Sequence, residues 1–294
     1  MEKKTKVIFV AVLCSVLFGL SFLGTKVALD GLSPIQLMAG RWTVALVVFL
    51  ILIAAGKIKI ALKGKPIKYL VLLAIFQPCI YAATETWGIN LTTLAESSIL
   101  LAFIPVVVTG ASIFIFKERV DGVTLGAILL AFLGVVITMA FSGEGSEGGH
   151  FLGYVLLMIT VLCGAAYTIL SGRLSRVFSP MEITFVMVLL GSICFNGAAF
   201  IMGEGVSAYT TLFTRPSTAL AVVYLGLICS ICCYSMMNYV FAHLPAHKAS
   251  SLTMNIITLT GVLSGLLFRG ESLHWNTGVG MILILMGVIG ANRK

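Results

Sequence analysis

The stretch VIFVAVLCSVLFGLSFLGTKVAL, residues 7–29, is apolar along almost its whole length and carries one charged side chain, Lys26. A helix that crosses a bilayer needs about 20 mostly apolar residues, so this stretch is long enough to span one. Nine further stretches of similar length and polarity follow. The ten predicted spans lie near 7–29, 34–55, 68–88, 92–116, 122–141, 151–171, 181–203, 218–241, 247–268 and 274–291.

The composition of the chain excludes a soluble domain. Of the 294 residues, 59% are hydrophobic and 10% are charged, and the mean hydropathy is +1.09, whereas a soluble surface needs far more charge. The first apolar stretch also exceeds the ~7–15 residues of a signal peptide's apolar region, so we expect it to be retained as a helix. The predicted fold class is an all-α membrane protein of ten transmembrane helices in a lipid bilayer.

Basic residues are distributed unevenly between the predicted loops. Lys and Arg accumulate on the cytoplasmic side of membrane proteins. If the N-terminus lies inside and the spans alternate, the outer loops hold only Arg215 and Arg269, and the inner segments hold almost all of the other basic residues. We therefore predict a multi-pass protein of the plasma (inner) membrane with both termini cytoplasmic. The net charge of +8 then reflects this topology rather than nucleic-acid binding.

The two halves of the chain share a sequence pattern. Residues 95–137 align without a gap on residues 248–290, at a constant offset of 153. The matched positions are Ser97 with Ser250, Ser98 with Ser251, Glu118 with Glu271, Thr124 with Thr277, Gly134 with Gly287 and Val135 with Val288. Upstream of this register, Ser33-Pro34 corresponds to Ser179-Pro180, each between the first and second helix of its half. A fixed register over this length indicates an internal repeat.

Each half of the chain contains five predicted helices. We predict a first five-helix repeat at 1–143, a polar glycine-rich linker at 144–149 and a second five-helix repeat at 150–294. Because five is an odd number, the two halves insert in opposite orientations. Inverted repeats are typical of secondary transporters, in which the substrate site lies between the halves near the middle of the membrane. The sequence therefore predicts a central cavity.

Several short motifs occur at defined places along the chain. They are Phe18-Gly19-Leu20-Ser21-Phe22 with Lys26 in the first helix, Arg41 in the second, Glu85-Thr86-Trp87 in the third, Ala95-Glu96-Ser97-Ser98 with Pro105 in the fourth, and Glu118 and Glu271 before the last helix of each half. In combination they resemble the EamA-type branch of the drug/metabolite transporter superfamily. The resemblance implies metabolite transport by alternating access, with the first, third, fourth, sixth, eighth and ninth helices around the cavity. Phe18 stands where the family pattern has Trp, so substrate identity is not carried over.

Polar residues inside the predicted spans are candidates for function, because they are costly in hydrocarbon without a partner or a water-filled cavity. Gln77, Tyr81 and Glu85 lie at i, i+4 and i+8, on one face of a regular helix. This stripe either lines the cavity or makes hydrogen bonds between helices. The predicted substrate-binding residues are Gln77, Tyr81, Glu85, Tyr167, Tyr234, Asn238 and Asn255.

Four charged residues inside the spans are candidates for ion coupling or ion pairing: Lys26, Arg41, Glu85 and Glu96. One hypothesis is that a glutamate, Glu85 first, carries a coupling proton, or that Lys26 or a glutamate pairs with a charged group of the substrate. The other hypothesis is that these residues form ion pairs between helices. We expect Arg41 to pair with an acid, and Glu96, about one turn into its helix, is placed to reach the membrane interface.

The sequence contains no motif for catalysis, a cofactor or a metal. It has no H-E-x-x-H and no nucleotide-binding loop, and all seven cysteines fall inside predicted spans, where cysteine is a small apolar core residue. We therefore predict that the protein is not an enzyme and has no cofactor. The predicted function is secondary active transport of small metabolites, with export of amino acids or related compounds favoured and protons as the candidate coupling ion.

Two other functions stay open at this point. An antiporter of organic anions, such as sugar phosphates or nucleotide sugars, needs paired cations at its cavity, and His247-Lys248 is the nearest approach to such a pair. A membrane-embedded enzyme or a structural scaffold belongs to a different class. The oligomeric state also stays open.

Overall fold

The computed structural model describes residues 2–116, 122–140, 151–210 and 215–291, and all regular secondary structure in these ranges is helical. Ten helical spans follow one another, with a short helix, Ser207–Thr210, before the eighth. They are α1 (Glu2–Leu29), α2 (Pro34–Ala54), α3 (Ile67–Leu91), α4 (Leu94–Leu101 and Ile104–Phe116), α5 (Gly122–Ala140), α6 (Phe151–Leu174), α7 (Pro180–Ile201), α8 (Pro216–His243), α9 (Ala246–Arg269) and α10 (Trp275–Ala291).

The spans have the length and polarity of membrane helices. Within the described ranges, nine are long and apolar enough to cross a membrane, and α10, with 17 residues, is slightly shorter. Large apolar side chains cover the outside of the bundle: Leu129, Ile193 and Ile282 expose 60%, 61% and 56% of their surface. Apolar side chains on the outside are the pattern of a lipid-facing surface. The predicted ten-helix, all-α membrane fold is confirmed.

The two Ser-Pro pairs begin corresponding helices. Ser33 and Ser179 accept hydrogen bonds from the backbone N–H groups of Gln36 and Glu182, and the side chains of those residues accept from the serine N–H groups in return. Such reciprocal capping satisfies two backbone donors that a helix start leaves unpaired. Proline in the first turn costs nothing, because its missing N–H would have no partner there. The motif therefore fixes where α2 and α7 begin.

Helices α3 and α8 are interrupted near their middles. A π-helical segment, Ile75–Ile80, divides α3, and another, Tyr224–Cys233, divides α8. Gln77 has a non-helical backbone conformation, with φ −136° and ψ 112°, next to Pro78. Proline cannot donate to the helix ladder and bends a helix at this point. The spacing predicted that Gln77, Tyr81 and Glu85 share one face of a regular helix. Because the helix is interrupted at Gln77, this residue does not share a regular helical face with the other two.

Helices α5 and α10, the last spans of the two halves, pack closely together through glycines. A Cβ atom added at Gly134 would lie 2.8 Å from the carbonyl oxygen of Gly280, and one added at Gly287 would lie 2.6 Å from that of Ala127. Small residues let helix backbones approach, and such contacts drive helix association in a bilayer, where burial of apolar surface does not. This interface joins the last helix of the first half to the last helix of the second half.

Candidate functional site

A cavity of about 50 Å³ lies at the centre of the bundle, lined by residues of α1, α2, α3, α4, α6, α8 and α9. Its polar lining comprises Ser21, Arg41, Gln77, Tyr81, Glu85, Tyr167, Thr168 and Tyr234. A water molecule needs roughly 10–15 Å³ of such space, so the cavity has room for a few waters but not for an amino acid. A metabolite can enter only if the surrounding helices move apart.

Tyr234 is the centre of the aromatic wall. Its hydroxyl accepts a hydrogen bond from Nε2 of Gln77. Its ring lies 5.1 Å from that of Phe18 and 6.2 Å from that of Tyr167, both edge to face, and is stacked at 6.1 Å on Trp42. Oε1 of Gln77 is buried beside the cavity without a hydrogen-bond partner, and an unpaired buried acceptor is costly.

Arg41 lines the cavity from α2 and is 3% exposed. Its Nε atom donates to Ser230 Oγ at 2.8 Å, and its guanidinium carbon lies 5.4 Å from the centre of the Trp42 ring. In the part of the chain that the structure describes, the ion pairs are Lys65 with Glu182 and Arg269 with Asp30. The acidic partner expected for Arg41 is therefore not within ion-pair distance.

Glu85 lines the same cavity from the second part of α3. Its side chain is only half-buried, because part of its surface borders the cavity. Tyr81, one helical turn earlier on the same helix, and Arg41 on α2 lie on the same lining. The cavity wall thus carries one positive and one negative group.

The two predicted asparagines lie outside the cavity lining. Asn238 is fully buried, and its Oδ1 accepts from the Tyr167 hydroxyl and from Ser171 Oγ, both at 2.8 Å. It therefore holds Tyr167 in place. Asn255 is turned aside on α9, whose side chains on the lining are Met254 and Ile257. Neighbouring helix positions lie about 100° apart, so polarity alone cannot tell which of them faces the cavity.

Lys26 and Glu96 pair with helix ends instead of lining the cavity. Nζ of Lys26 donates to the carbonyl oxygens of Ile89 and Thr92 at 2.8 and 2.7 Å, where α3 ends. A cation is favourable at a helix C-terminus because of the unpaired carbonyl groups there. Glu96 accepts from the Thr93 N–H at 3.0 Å in a capping box at the start of α4, and from the Tyr154 hydroxyl at 2.8 Å.

The same end of the bundle, predicted to be the outer one, is closed by three further contacts. Glu271 accepts from the backbone N–H groups of Leu94 and Ala95 at 2.8 and 3.0 Å, and so caps α4 from the loop before α10. Arg269 makes two hydrogen bonds to the Asp30 carboxylate, at 2.7 and 3.0 Å, and holds the pKa of that carboxyl below its ordinary value. Arg215 donates to the Asp30 carbonyl at 2.8 Å. Glu271 is a repeat position in the sequence, but its local sequence carries no signal of this role.

Loss of the Lys26 contacts is expected to weaken the outer end without altering the cavity. In Lys26→Met, the carbonyl groups of Ile89 and Thr92 lose a charged donor, and such a hydrogen bond contributes about 2 kcal/mol. Thermal unfolding in detergent should therefore occur at a lower temperature than in the wild type, whereas the exposed substitution Lys57→Met should leave it unchanged. An unchanged melting temperature in Lys26→Met would show that these hydrogen bonds are not structural.

A wider cavity opens at the opposite end, which is predicted to be cytoplasmic. It measures about 580 Å³ and is lined by Ser112 of α4, by the end of α6 with the loop after it, and by the end of α8 with the start of α9. Arg173, Arg176 and His243 are among the lining residues. Phe241 borders both this cavity and the central one. The side chain of Phe241 thus stands between the central cavity and the predicted cytoplasmic side.

The sequence of this chain matches a known protein family. The model of the EamA-like transporter family matches residues 5–140 and 151–293. The chain belongs to the EamA-like transporter family. "Uncharacterized transporter YcxC" of Bacillus subtilis (strain 168) is 27% identical, over 99% of this chain and 94% of its own length. The "Probable amino-acid metabolite efflux pump" of Escherichia coli (strain K12) is 23% identical, over 95% of this chain and 92% of its own length.

One solved crystal structure has a similar fold, with a TM-score of 0.65 and 18% identity over 97% of this chain and 98% of that chain. At this identity the likeness concerns the fold alone. The two segments matched by the EamA family model are separated by residues 141–150, which include the predicted linker 144–149. That linker and Glu118 lie outside the described residues. Family membership and the apolar helices establish a multi-pass membrane protein of a transporter family.

Proposed function

We propose that this EamA-family protein is a secondary transporter that exports amino acids or related small metabolites across the plasma membrane. The observation that carries the proposal is the central cavity, whose wall combines Arg41, Gln77 and Glu85 with an aromatic surface. Charged and polar groups deep in a membrane bundle mark a transport pathway by default, because the bilayer makes them costly. The name of the Escherichia coli relative supports amino-acid metabolites as the substrate class.

Alternating access is the mechanism that we propose. The two five-helix halves, 1–143 and 150–294, insert in opposite orientations with both termini cytoplasmic, and the halves rock around the central cavity. The contacts of Asp30, Lys26 and Glu271 at the predicted outer end support an inward-facing state, as does the wide cavity at the other end. In this state the central cavity is too small for an amino acid. Substrate therefore binds only when the side chain of Phe241 moves and the cavity widens.

The proposed substrate contacts are the five predicted residues that line the cavity: Gln77, Tyr81, Glu85, Tyr167 and Tyr234. Asn238 acts on substrate through Tyr167, which it holds by a hydrogen bond. Asn255 has no contact with the cavity, and its part in binding stays a prediction. Among the residues that the structure describes, Arg41 is the one cation on this lining, which disfavours sugar phosphates, since these require paired cations.

Counterflow in proteoliposomes tests the function. Vesicles are loaded with one unlabelled amino acid at a time, and uptake of the same labelled compound is followed. We expect saturable uptake that depends on the internal load, with at least one amino acid. If protein shown to be folded gives no counterflow with any amino acid, sugar, nucleoside or organic anion, the transporter proposal fails.

Glu85 is the proposed protonation site for coupling. In Glu85→Gln, the side chain keeps its size but can neither release nor take up a proton, so the residual counterflow rate should be the same at pH 6 and pH 8. Wild-type protein should respond to this change in pH. Full, pH-responsive transport by Glu85→Gln would contradict a coupling role for this carboxylate.

A further inference from the structure

The central cavity contains two opposite charges that do not form an ion pair. Arg41 and Glu85 both line it, yet neither has a partner of opposite charge within 4.0 Å in the described part of the chain. A charge in the membrane interior is costly, and leaving it without a close counter-charge adds to that cost. Two such groups on one cavity wall are therefore expected to meet opposite charges supplied by a ligand.

The guanidinium of Arg41 lies at the cavity, and its terminal N–H groups make no hydrogen bond to the described residues. Its only described hydrogen bond is from Nε to Ser230, which itself donates to the Leu225 carbonyl at 3.0 Å. The Trp42 ring lies beside the guanidinium carbon. These contacts fix the plane of the group and leave its terminal N–H groups for a ligand. A planar guanidinium presents parallel donors that match the two oxygens of a carboxylate.

Two acceptors on the cavity's polar wall suit an ammonium group. Glu85 supplies a carboxylate, and Gln77 supplies a buried carbonyl oxygen that has no hydrogen-bond partner. An ammonium group has three donors and no acceptor, so acceptors of this kind are what it requires. Arg41 and Glu85 line the same cavity of about 50 Å³, so the two sites lie near each other.

The rest of the wall offers no third charge in the described ranges. It is made largely of Phe18, Phe22, Ile104, Phe241, Met254 and Ile257. A ligand side chain that carried a charge would be desolvated here without a partner, which is strongly unfavourable. An apolar side chain would instead be buried against these groups. The wall thus suits a ligand with one carboxylate, one ammonium and an apolar remainder.

We propose that Arg41 binds the α-carboxylate, and Glu85 with Gln77 the α-ammonium, of a zwitterionic amino acid with an apolar side chain, such as leucine. This inference rests on the proposed function and names the substrate class of the same cavity. It also changes the role of Arg41 from an expected structural ion pair to a substrate anchor.

Analogues of leucine that lack one charge provide the test. Purified protein is titrated with leucine, with 3-methylbutylamine, which lacks the carboxylate, and with 4-methylpentanoate, which lacks the ammonium group, and binding is followed by thermal stabilisation. Wild-type protein should bind leucine about 100-fold or more tightly than either analogue, the scale expected when one partner of a desolvated charge pair is removed.

The variants assign each charge to its residue. Arg41→Gln should lose about 100-fold in leucine affinity while its affinity for 3-methylbutylamine stays at the wild-type level, and Glu85→Gln should show the reverse pattern, keeping 4-methylpentanoate. Arg41→Lys keeps the charge and should recover part of the leucine affinity. If Arg41→Gln does not fold, Arg41→Lys takes its place in the binding test. Lys65→Gln, at an ion pair outside the cavity, should match the wild type with all three ligands.

Three outcomes would overturn the assignment. One is wild-type protein that binds an analogue as tightly as leucine; another is an Arg41→Gln variant that weakens amine and leucine binding equally. The third is wild-type protein that neither binds nor transports apolar amino acids but shows saturable counterflow of another solute. In that case the proposed transport function would remain valid, and only the substrate assignment would be wrong. Absence of counterflow with every solute would remove the proposed function as well.

Discussion

Tyr234→Ala is expected to reduce counterflow about 100-fold, since displacement of groups around a site by about 1 Å can cost that much. The substitution removes the hydroxyl that accepts from Gln77 and the ring that contacts Phe18, Trp42 and Tyr167. Helices α1, α2, α3 and α6 then lose their common point of contact with α8 at the cavity. Initial rates of labelled amino-acid uptake into preloaded vesicles measure the effect.

Two substitutions separate the causes of this loss. Tyr234→Phe keeps the ring and removes only the hydroxyl, so it should lose much less activity than Tyr234→Ala. Tyr239→Ala removes a ring from the same helix, but Tyr239 pairs with His243 and does not line the cavity, so its rate should remain near that of the wild type. Equal losses in Tyr234→Ala and Tyr239→Ala would mean that any damage to α8 suffices.

Gly287→Leu is expected to destabilise the protein by about 3 kcal/mol or more, because overpacking a close contact forces backbones apart. Even a Cβ atom at this position would lie 2.6 Å from the Ala127 carbonyl oxygen. Helices α5 and α10 must then separate. Thermal unfolding in detergent, followed by loss of the monodisperse species, measures the change.

The matched control lies on the facing helix. A Cβ atom at Gly126 would meet nothing within 4 Å, so Gly126→Leu adds the same side chain in open space and should leave the melting temperature unchanged. If Gly287→Leu and Gly126→Leu unfold at the same temperature, the close approach of α5 and α10 does not contribute to stability.

Helix positions could be predicted well from the sequence because bilayer thickness and apolar length are directly related. The predicted span 34–55 corresponds to Pro34–Ala54, and 181–203 corresponds to Pro180–Ile201. In both cases a Ser-Pro pair fixes the start locally. The interruption of α8 had no such signal: Tyr224–Cys233 contains no proline, and its irregular hydrogen bonding depends on neighbouring helices.

The cavity could be predicted in part. Polarity within an apolar span identified Gln77, Glu85 and Tyr234, because each of these groups needs a cavity or a partner in the membrane. It could not place Asn255, since one residue of difference along a helix changes the direction of a side chain by about 100°.

Charge alone also could not separate a cavity group from a helix cap. Lys26 and Glu96 bind backbone groups at the ends of α3 and α4, whereas Arg41 lines the cavity. Which role a charge takes depends on how the helices are arranged around it, and no local pattern records that.

Occupation of the central cavity by substrate can be measured at Ser21, which lines it from α1. Ser21→Cys is nearly isosteric. Its rate of reaction with a membrane-impermeant maleimide is compared with that of wild-type protein, in which only the native cysteines can react. We expect a saturating concentration of a transported amino acid to slow this reaction several-fold. A rate that is the same with and without that amino acid would contradict a substrate site in this cavity.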